Sequence, residues 1–190
     1  AGFDLRPPAR RGDVLTALAA HPHTLVLLDG YYYTVPAVAH KELLYALDAG
    51  VRLIGAASMG ALRAAEMAPF GMEGTGWVFE RFAAGELTGD DEVAVLHASA
   101  EHGYRLTSVA LVEVRWALER LAEEIALPGA AGLVEALAAL PFVERDAARV
   151  AELARERLGE ETAGALVRLL AADGVKRRDA LAALALAWQA

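Results

Sequence analysis

The chain has 190 residues, with 18 Lys or Arg against 26 Asp or Glu, so its formal net charge is −8. This balance excludes a protein that binds mainly to nucleic-acid phosphates, because such a protein needs a basic surface. Hydrophobic residues make up 56% of the sequence, which excludes a disordered chain and predicts a sizeable core. There is no cysteine, which excludes disulfides, thiolate metal ligands, cysteine nucleophiles and transfer of sulfur as a persulfide.

The sequence also lacks the features of membrane and secreted proteins. Its longest plain apolar run, residues 180–188, is far shorter than the roughly 20 residues that cross a bilayer. The start at Ala1 shows neither an initiator Met nor the apolar core of a signal peptide. We therefore expect a cytoplasmic protein that does not bind membranes, and whether its natural N-terminus precedes Ala1 stays open.

The first half of the chain predicts a βαβ unit. A short helix is predicted over 14–20, and the apolar run 24–28, closed by Asp29 and Gly30, predicts a strand buried on both faces. A helix beginning near Pro36 and reaching Leu47 follows, and 51–54 forms a second apolar strand. Two strands with one helix between them in about 30 residues are typical of a parallel, right-handed crossover.

The second half predicts helices. The glycine-rich stretch 71–76 predicts loops with one short helix, and from 107 onward the composition shifts to Ala, Leu, Glu and Arg. Helical periods cover 108–126, 131–140, 146–158, 161–172 and 176–188. The predicted fold class is therefore α/β, a small parallel-sheet core over residues 1–105 followed by an all-α C-terminal bundle over 106–190. The apolar tail from Leu181 to Trp188 is predicted to close that bundle, with docking of a partner as the alternative.

The segment 55–66 carries the strongest chemical signal. A strand runs through a turn of small residues, with Ser58 at its bend, into a helix, which is the A-x-S-x-G form of a nucleophile elbow. The hydroxyl group then lies at the carboxyl end of a strand and the amino end of a helix, where backbone N–H groups can hold an anion or a developing oxyanion. Asp29 and Gly30 end the neighbouring strand at the same edge of the sheet. The alternative for Ser58 is a helix N-cap.

A serine nucleophile needs a base, and two residues are candidates. His40 is predicted on the inward face of the crossover helix, with a buried core histidine as the alternative. Lys41 suits a Ser–Lys arrangement if it is desolvated, with a solvated helix face as the alternative. Arg63 and Glu66 follow on the next helix and either reach the same cleft or form an exposed ion pair.

The acidic run Asp90, Asp91 and Glu92 favours the start of a helix over a cation site. His97 and His102 have no second donor at a metal-ligand spacing, so the sequence predicts no metal and no other cofactor.

Five motifs in order give the chain a family resemblance. They are Leu28-Asp-Gly30, His40-Lys-Glu-Leu-Leu44, the segment 55–66, the glycine-rich stretch 71–76 and Asp90-Asp-Glu-Val-Ala94. Together they resemble the TfuA-like core domain over about residues 5–105. Proteins of this family are associated with YcaO enzymes, which activate backbone amides with ATP, and the pairs install thioamides in peptides and proteins. Family members usually begin with a strand and a Gly-Pro-Ser turn, which precede the segment seen here.

The resemblance implies delivery of sulfur to a YcaO partner from a thiocarboxylated carrier protein of the ThiS type. Because the chain has no thiol, it must use acyl chemistry or docking, and Ser58 becomes the expected nucleophile. Asp29, Gly30, Gly60, Arg63 and Glu66 are then expected to bind the substrate or carrier. The alternatives are a noncatalytic partner that recruits or activates the YcaO enzyme and, more weakly, a serine peptidase or esterase, since residues 56–61 look like the nucleophile segment of Clp-type peptidases. Whether the protein forms homo-oligomers stays open.

Overall fold

Three parallel strands form the sheet of the structure, a computed structural model that describes residues 2–31, 33–172 and 174–189. The strand order in this part of the chain is β1 (Thr24–Leu27), β2 (Arg52–Gly55) and β3 (Glu73–Gly74). β1 and β2 pair in parallel with Leu25 opposite Leu53. The α/β fold class and the parallel pairing are therefore confirmed, whereas β3 was not among the predicted elements.

The burial of the strands differs from the prediction for β1. All four of its residues are only partly buried, whereas Leu53, Ile54 and Gly55 of β2 are buried. The reason lies in the strand order of the described sheet, in which β1 is an edge strand and β2 is the centre. A central strand is covered by neighbours on both sides, so its apolar run is the more completely buried one.

The described residues divide into two units, an α/β unit formed by 1–88 with 176–190 and a helical unit formed by 89–175. The helices of the α/β unit are α1 (Asp13–Leu18), α2 (His40–Asp48), α3 (Met59–Met67), α4 (Trp77–Ala83) and α9 (Val175–Trp188), of which α9 begins at the junction. The domain boundary near residue 105 stays a prediction.

Two apolar clusters cover opposite faces of the sheet. Leu53 packs into a cluster with α2 that includes Leu43 and Ala46, while the next residue, Ile54, packs with Ala183 of α9. Successive residues of a strand point to opposite faces, so α2 and α9 lie on different sides of β2. The C-terminal tail thus packs on the sheet, and the prediction that it closes the helical bundle is wrong.

The start of α2 is fixed by a buried carboxylate. Glu42, 4% exposed, accepts the N–H of Ala39 at 2.7 Å and the N–H of Gly12 at 2.9 Å. Because the side chain at the third helical position reaches back to the residue before the helix, α2 begins at His40 and not at Pro36. Glu42 therefore does not lie on a solvated helix face.

The helical unit confirms the predicted all-α region. Its helices are α5 (Leu111–Ala122), α6 (Ala130–Ala138), α7 (Ala147–Leu158) and α8 (Glu160–Ala172). α7 packs against α6 and α8, and α5 packs against α6 and α8. None of the described helices of the chain is long and apolar enough to cross a membrane.

Candidate functional site

The turn between β2 and α3 is sharp and carries its backbone strain next to the serine. Ala57 has a φ of 71°, in the left-handed region that a residue with a side chain rarely adopts. Ser58 follows with φ −131° and ψ −123°, and α3 begins at Met59. The strand, the bend and the helix follow one another as the elbow pattern predicts.

Two glycines let this turn approach β1 and β2 closely. A Cβ atom on Gly60 would lie 1.8 Å from the carbonyl oxygen of Leu27, and a Cβ atom on Gly55 would lie 2.2 Å from the carbonyl oxygen of Gly60. Both distances are far below van der Waals contact, so larger residues would push α3 off the sheet. The final glycine of the A-x-S-x-G pattern therefore has a packing role.

The Ser58 side chain is buried, with 3% of the residue exposed, and among the described residues it makes no capping hydrogen bond to the start of α3. The structure therefore does not bear out the side-chain N-cap as an alternative for this hydroxyl group. The backbone N–H groups of Ser58 and Gly60 both donate to the carbonyl oxygen of Leu28, at 3.2 and 3.3 Å. These two donors are thus occupied at the helix end where the sequence predicts anion-binding N–H groups.

The end of β1 lies beside this turn. The Asp29 side chain is exposed and accepts the N–H of Gly30 at 2.8 Å, while the carbonyl oxygen of Asp29 accepts the N–H of Ala9 at 3.1 Å. A Cβ atom on Gly30 would lie 3.3 Å from Cγ of Met59, so the segment after β1 lies against the start of α3. Gly30 thus lies beside the helix that follows the serine turn, and Asp29 precedes it in the same segment after β1.

His40, Arg63 and Glu66 form a second group on the surface of α2 and α3. His40 Nε2 lies 2.8 Å from Glu66 Oε2, and Arg63 donates to the same oxygen at 2.5 Å and to the carbonyl oxygen of Val38 at 3.0 Å. The His40 side chain is 49% exposed, so it does not lie on the inward face of its helix. Lys41 beside it is also exposed.

The candidate residues thus fall into two groups within the α/β unit. One group joins Ser58 and Gly60 to the end of β1 through Leu28, and the other joins His40 to Arg63 and Glu66. In the described part of the chain, the hydrogen bonds of His40 and Glu66 stay within their own group and do not include Ser58.

The acidic run in the helical unit is held by arginines. It forms a three-residue 3₁₀ turn, Asp90–Glu92, in which Asp91 pairs with Arg145 and Glu92 accepts two hydrogen bonds from Arg115 at 2.7 and 2.9 Å. Arg145 is 1% exposed and also donates to carbonyl oxygens at the end of α6. Within the ranges that the structure describes, no group of three His, Asp or Glu could hold a metal ion.

Asp179 is a buried residue that sequence reasoning missed. It is 5% exposed and accepts the N–H groups of Trp77 at 3.0 Å and Val78 at 2.9 Å, so a carboxylate of α9 caps α4. A Cβ atom on Gly76 would lie 2.3 Å from its carboxylate carbon. A capping carboxylate about a hundred residues away in the sequence leaves no local pattern near the helix that it caps. The glycine-rich stretch 71–76 does mark the start of that helix, where Asp179 binds.

Arg52 and Glu73 tie the middle strand to the short third strand. The guanidinium group donates from Nε and a terminal nitrogen to the two carboxylate oxygens, both at 2.7 Å. These hydrogen bonds lower the pKa of Glu73 and raise the pKa of Arg52. The bidentate pair stabilises the ionised forms of both groups.

The model of the TfuA-like protein family matches residues 29–146, which is more than half of the chain. The chain belongs to the TfuA-like protein family. The matched range contains every candidate site residue, from Asp29 to Glu66, and continues past residue 105 to Asp146, but it does not reach α9. No curated protein matches the sequence.

TfuA-like proteins have an accessory role in thioamide formation, and membership implies that this chain has the same role. The partner that the family implies is a YcaO enzyme. The five motifs that carried the resemblance therefore identified the family correctly.

Proposed function

We propose that this TfuA-like protein supplies sulfide to its YcaO partner by hydrolysing the thiocarboxylated C-terminus of a ThiS-like carrier. The observation that carries the proposal is Ser58, which lies on a strained strand-to-helix turn and does not cap the helix that it precedes. A chain without cysteine is restricted to acyl chemistry or docking, and an activated serine is suited to release of sulfur from an acyl-linked source.

The reaction has two balanced steps. The Ser58 hydroxyl oxygen attacks the thiocarboxylate carbon, the carbon–sulfur bond breaks, and the hydroxyl proton leaves with sulfur as HS⁻. Water then hydrolyses the acyl-serine ester, which returns the serine and gives the carrier a carboxylate. The N–H of Met59, the residue after the nucleophile, is the donor that an elbow offers to the developing oxyanion.

His40 is the proposed base in preference to Lys41. The hydrogen bond that Glu66 accepts from His40 Nε2 holds the imidazole ring in one orientation, which is the role of the third group in a nucleophile–base–orienter arrangement. Lys41 is exposed, whereas a lysine base needs a desolvated setting. Closure on the carrier would have to bring the ring of His40 to Ser58.

The remaining candidate residues are assigned to binding of the carrier tail. Asp29 and Gly30 line the strand end beside the serine turn, and Gly60 lets α3 approach that edge. Arg63 holds Glu66, the partner of the proposed base, so it can also pair with the carboxylate product.

A noncatalytic recruiting role is the second candidate, and one observation favours it. Ser58 is only 3% exposed, and the N–H groups on either side of Met59 are occupied by Leu28. In that case the serine turn is purely structural, and the chain acts by docking the YcaO enzyme and the carrier together.

Hydrolysis by the chain alone separates the two candidates. The purified protein is incubated with a thiocarboxylated carrier, without YcaO or ATP, and carboxylate and sulfide are measured. Ser58→Ala is compared with Ser108→Ala, a second buried serine that serves as the matched control because it lies in the helical unit. The proposal requires hydrolysis by wild type and Ser108→Ala and its loss in Ser58→Ala; equal rates in all three contradict it.

A further inference from the structure

The C-terminal helix packs directly on the turn that carries Ser58. Ala183 of α9 is fully buried in one cluster with Ile54, Ala56 and Ala57, the residues that lead into the serine. Ala57 is 4% exposed and Ser58 is 3% exposed. Helix α9 therefore covers the two residues that precede Ser58, and Ser58 itself is buried.

One buried carboxylate anchors this helix. Asp179 accepts two N–H groups at the start of α4, and Gly76 leaves just enough room for it. Near its other end, the carbonyl oxygen of Leu186 accepts a long hydrogen bond of 3.5 Å from Arg52. Glu113 also accepts the N–H of Val175, the first residue of α9, at 2.7 Å. Beyond that first residue, Asp179 is the buried carboxylate that attaches α9.

The apolar attachment of α9 is slight for a helix of its length. The side chains that it adds to the cluster are three alanines and Leu186, while its large residues Leu181 and Trp188 are 52% and 59% exposed. Because burial stabilises in proportion to apolar area, alanine contacts hold a helix less firmly than leucine contacts do. Such an element has the low local stability from which lids are drawn.

We propose that α9 is a lid over the turn Ala56–Ser58, held closed by Asp179, and that its release exposes the Ser58 hydroxyl group to the carrier tail. This inference rests on the proposed function of Ser58. It makes Asp179 a positioning residue that acts through α9 and does not touch the substrate.

The absence of native cysteine gives a direct test of the lid. Ser58→Cys places a single thiol in the buried turn on which α9 packs, and its rate of alkylation by iodoacetamide measures opening. Ala46→Cys is the matched control, because Ala46 is fully buried in the cluster on the α2 side of the sheet. The alkylation rate of each single-cysteine variant is measured with the native Asp179 and again with Asp179→Asn.

The lid predicts slow alkylation of both single-cysteine chains. Asp179→Asn should then speed alkylation at position 58 by about tenfold, the effect of losing one buried charged hydrogen bond, and leave position 46 unchanged. Leu186→Ala is the second variant, because it weakens the apolar attachment without touching α4, and it should act in the same direction.

Two results overturn the lid. An unchanged rate at position 58 in both variants means that α9 does not control access, and equal acceleration at both positions means that the whole unit unfolds. Because alkylation reports exposure and the sulfide assay reports chemistry, failure of the lid leaves the proposed reaction to be judged by its own test.

Discussion

Close atomic contacts at single residues define the serine turn. The packing of α3 on β1 depends on the missing side chain at Gly60, whose Cβ atom would lie 1.8 Å from the carbonyl oxygen of Leu27. Ser58 owes its position to that contact and to the left-handed backbone of Ala57. The residue types at 57 and 60 therefore set the geometry in which the hydroxyl group is held.

Gly60→Ala should lower the free energy of unfolding by about 3 kcal/mol, because α3 must move away from the sheet to make room for the methyl group. Gly132→Ala is the matched control, since its Cβ atom meets nothing within 4 Å and it lies inside a helix. That control should be neutral or stabilising by up to about 1 kcal/mol. Urea denaturation measures both, and equal stability of the two variants would contradict the close contact.

Glu66 is the residue that orients His40, so Glu66→Gln should slow carrier hydrolysis by roughly 100-fold. Its effect on the free energy of unfolding should stay below about 1 kcal/mol, because the His40 and Glu66 side chains are 49% and 37% exposed. Glu86→Gln, which breaks the surface pair with Arg81, is the control and should keep the wild-type rate. A Glu66→Gln enzyme as fast as this control would remove His40 from the mechanism.

At the scale of elements, the helices and strands that follow one another directly along the chain could be predicted from the sequence. Continuous apolar runs marked β1 and β2, and the small residues around Ser58 marked the turn into α3. β3 could not be predicted, because Glu73–Gly74 has no apolar run and is defined by pairing with Ile54 and Gly55.

Contacts between residues that lie far apart in the sequence could not be predicted for the same physical reason. Asp179 caps α4, and Arg145 binds Asp91 across 54 positions, so neither contact leaves a local pattern. The exposed setting of His40 was also missed, because α2 begins at that residue and its first two residues are exposed. Sequence spacing therefore found the candidate residues but not the two groups into which they fall.

The ion pair between Arg52 on β2 and Glu73 on β3 makes the free energy of unfolding depend on pH. Because Arg52 lowers the pKa of Glu73 from its ordinary value of 4.5, folding favours the ionised carboxylate. Its contribution is complete above pH 4.5 and is lost as the pH falls through the lowered pKa.

Wild type should therefore exceed Glu73→Gln in free energy of unfolding near neutral pH, by at most about 1 kcal/mol because the Glu73 side chain is 43% exposed. The difference should shrink in acid below pH 4.5. Urea denaturation of both proteins across this range measures it, and a difference that grows in acid would reverse the assigned sign.

At the scale of the whole molecule, the α/β unit is assembled from two separated stretches of the chain. Residues 1–88 supply the sheet and the serine turn, and residues 176–190 supply the helix that covers one face. The family match ends at residue 146, so the covering helix lies outside the part that identifies the protein as TfuA-like. Composition contributed one further constraint, because a chain without thiols restricts sulfur delivery to acyl chemistry or docking.

The central claim is that this chain itself releases sulfide from a thiocarboxylated carrier through Ser58. Its most direct test is the sulfide yield of the purified protein with that carrier, in the absence of YcaO and ATP, for wild type and Ser58→Ala. The account predicts stoichiometric sulfide and carrier carboxylate from wild type and a loss of at least about 1000-fold in Ser58→Ala. Hydrolysis by Ser58→Ala at the wild-type rate would contradict it, as would a folded wild-type chain that releases no sulfide.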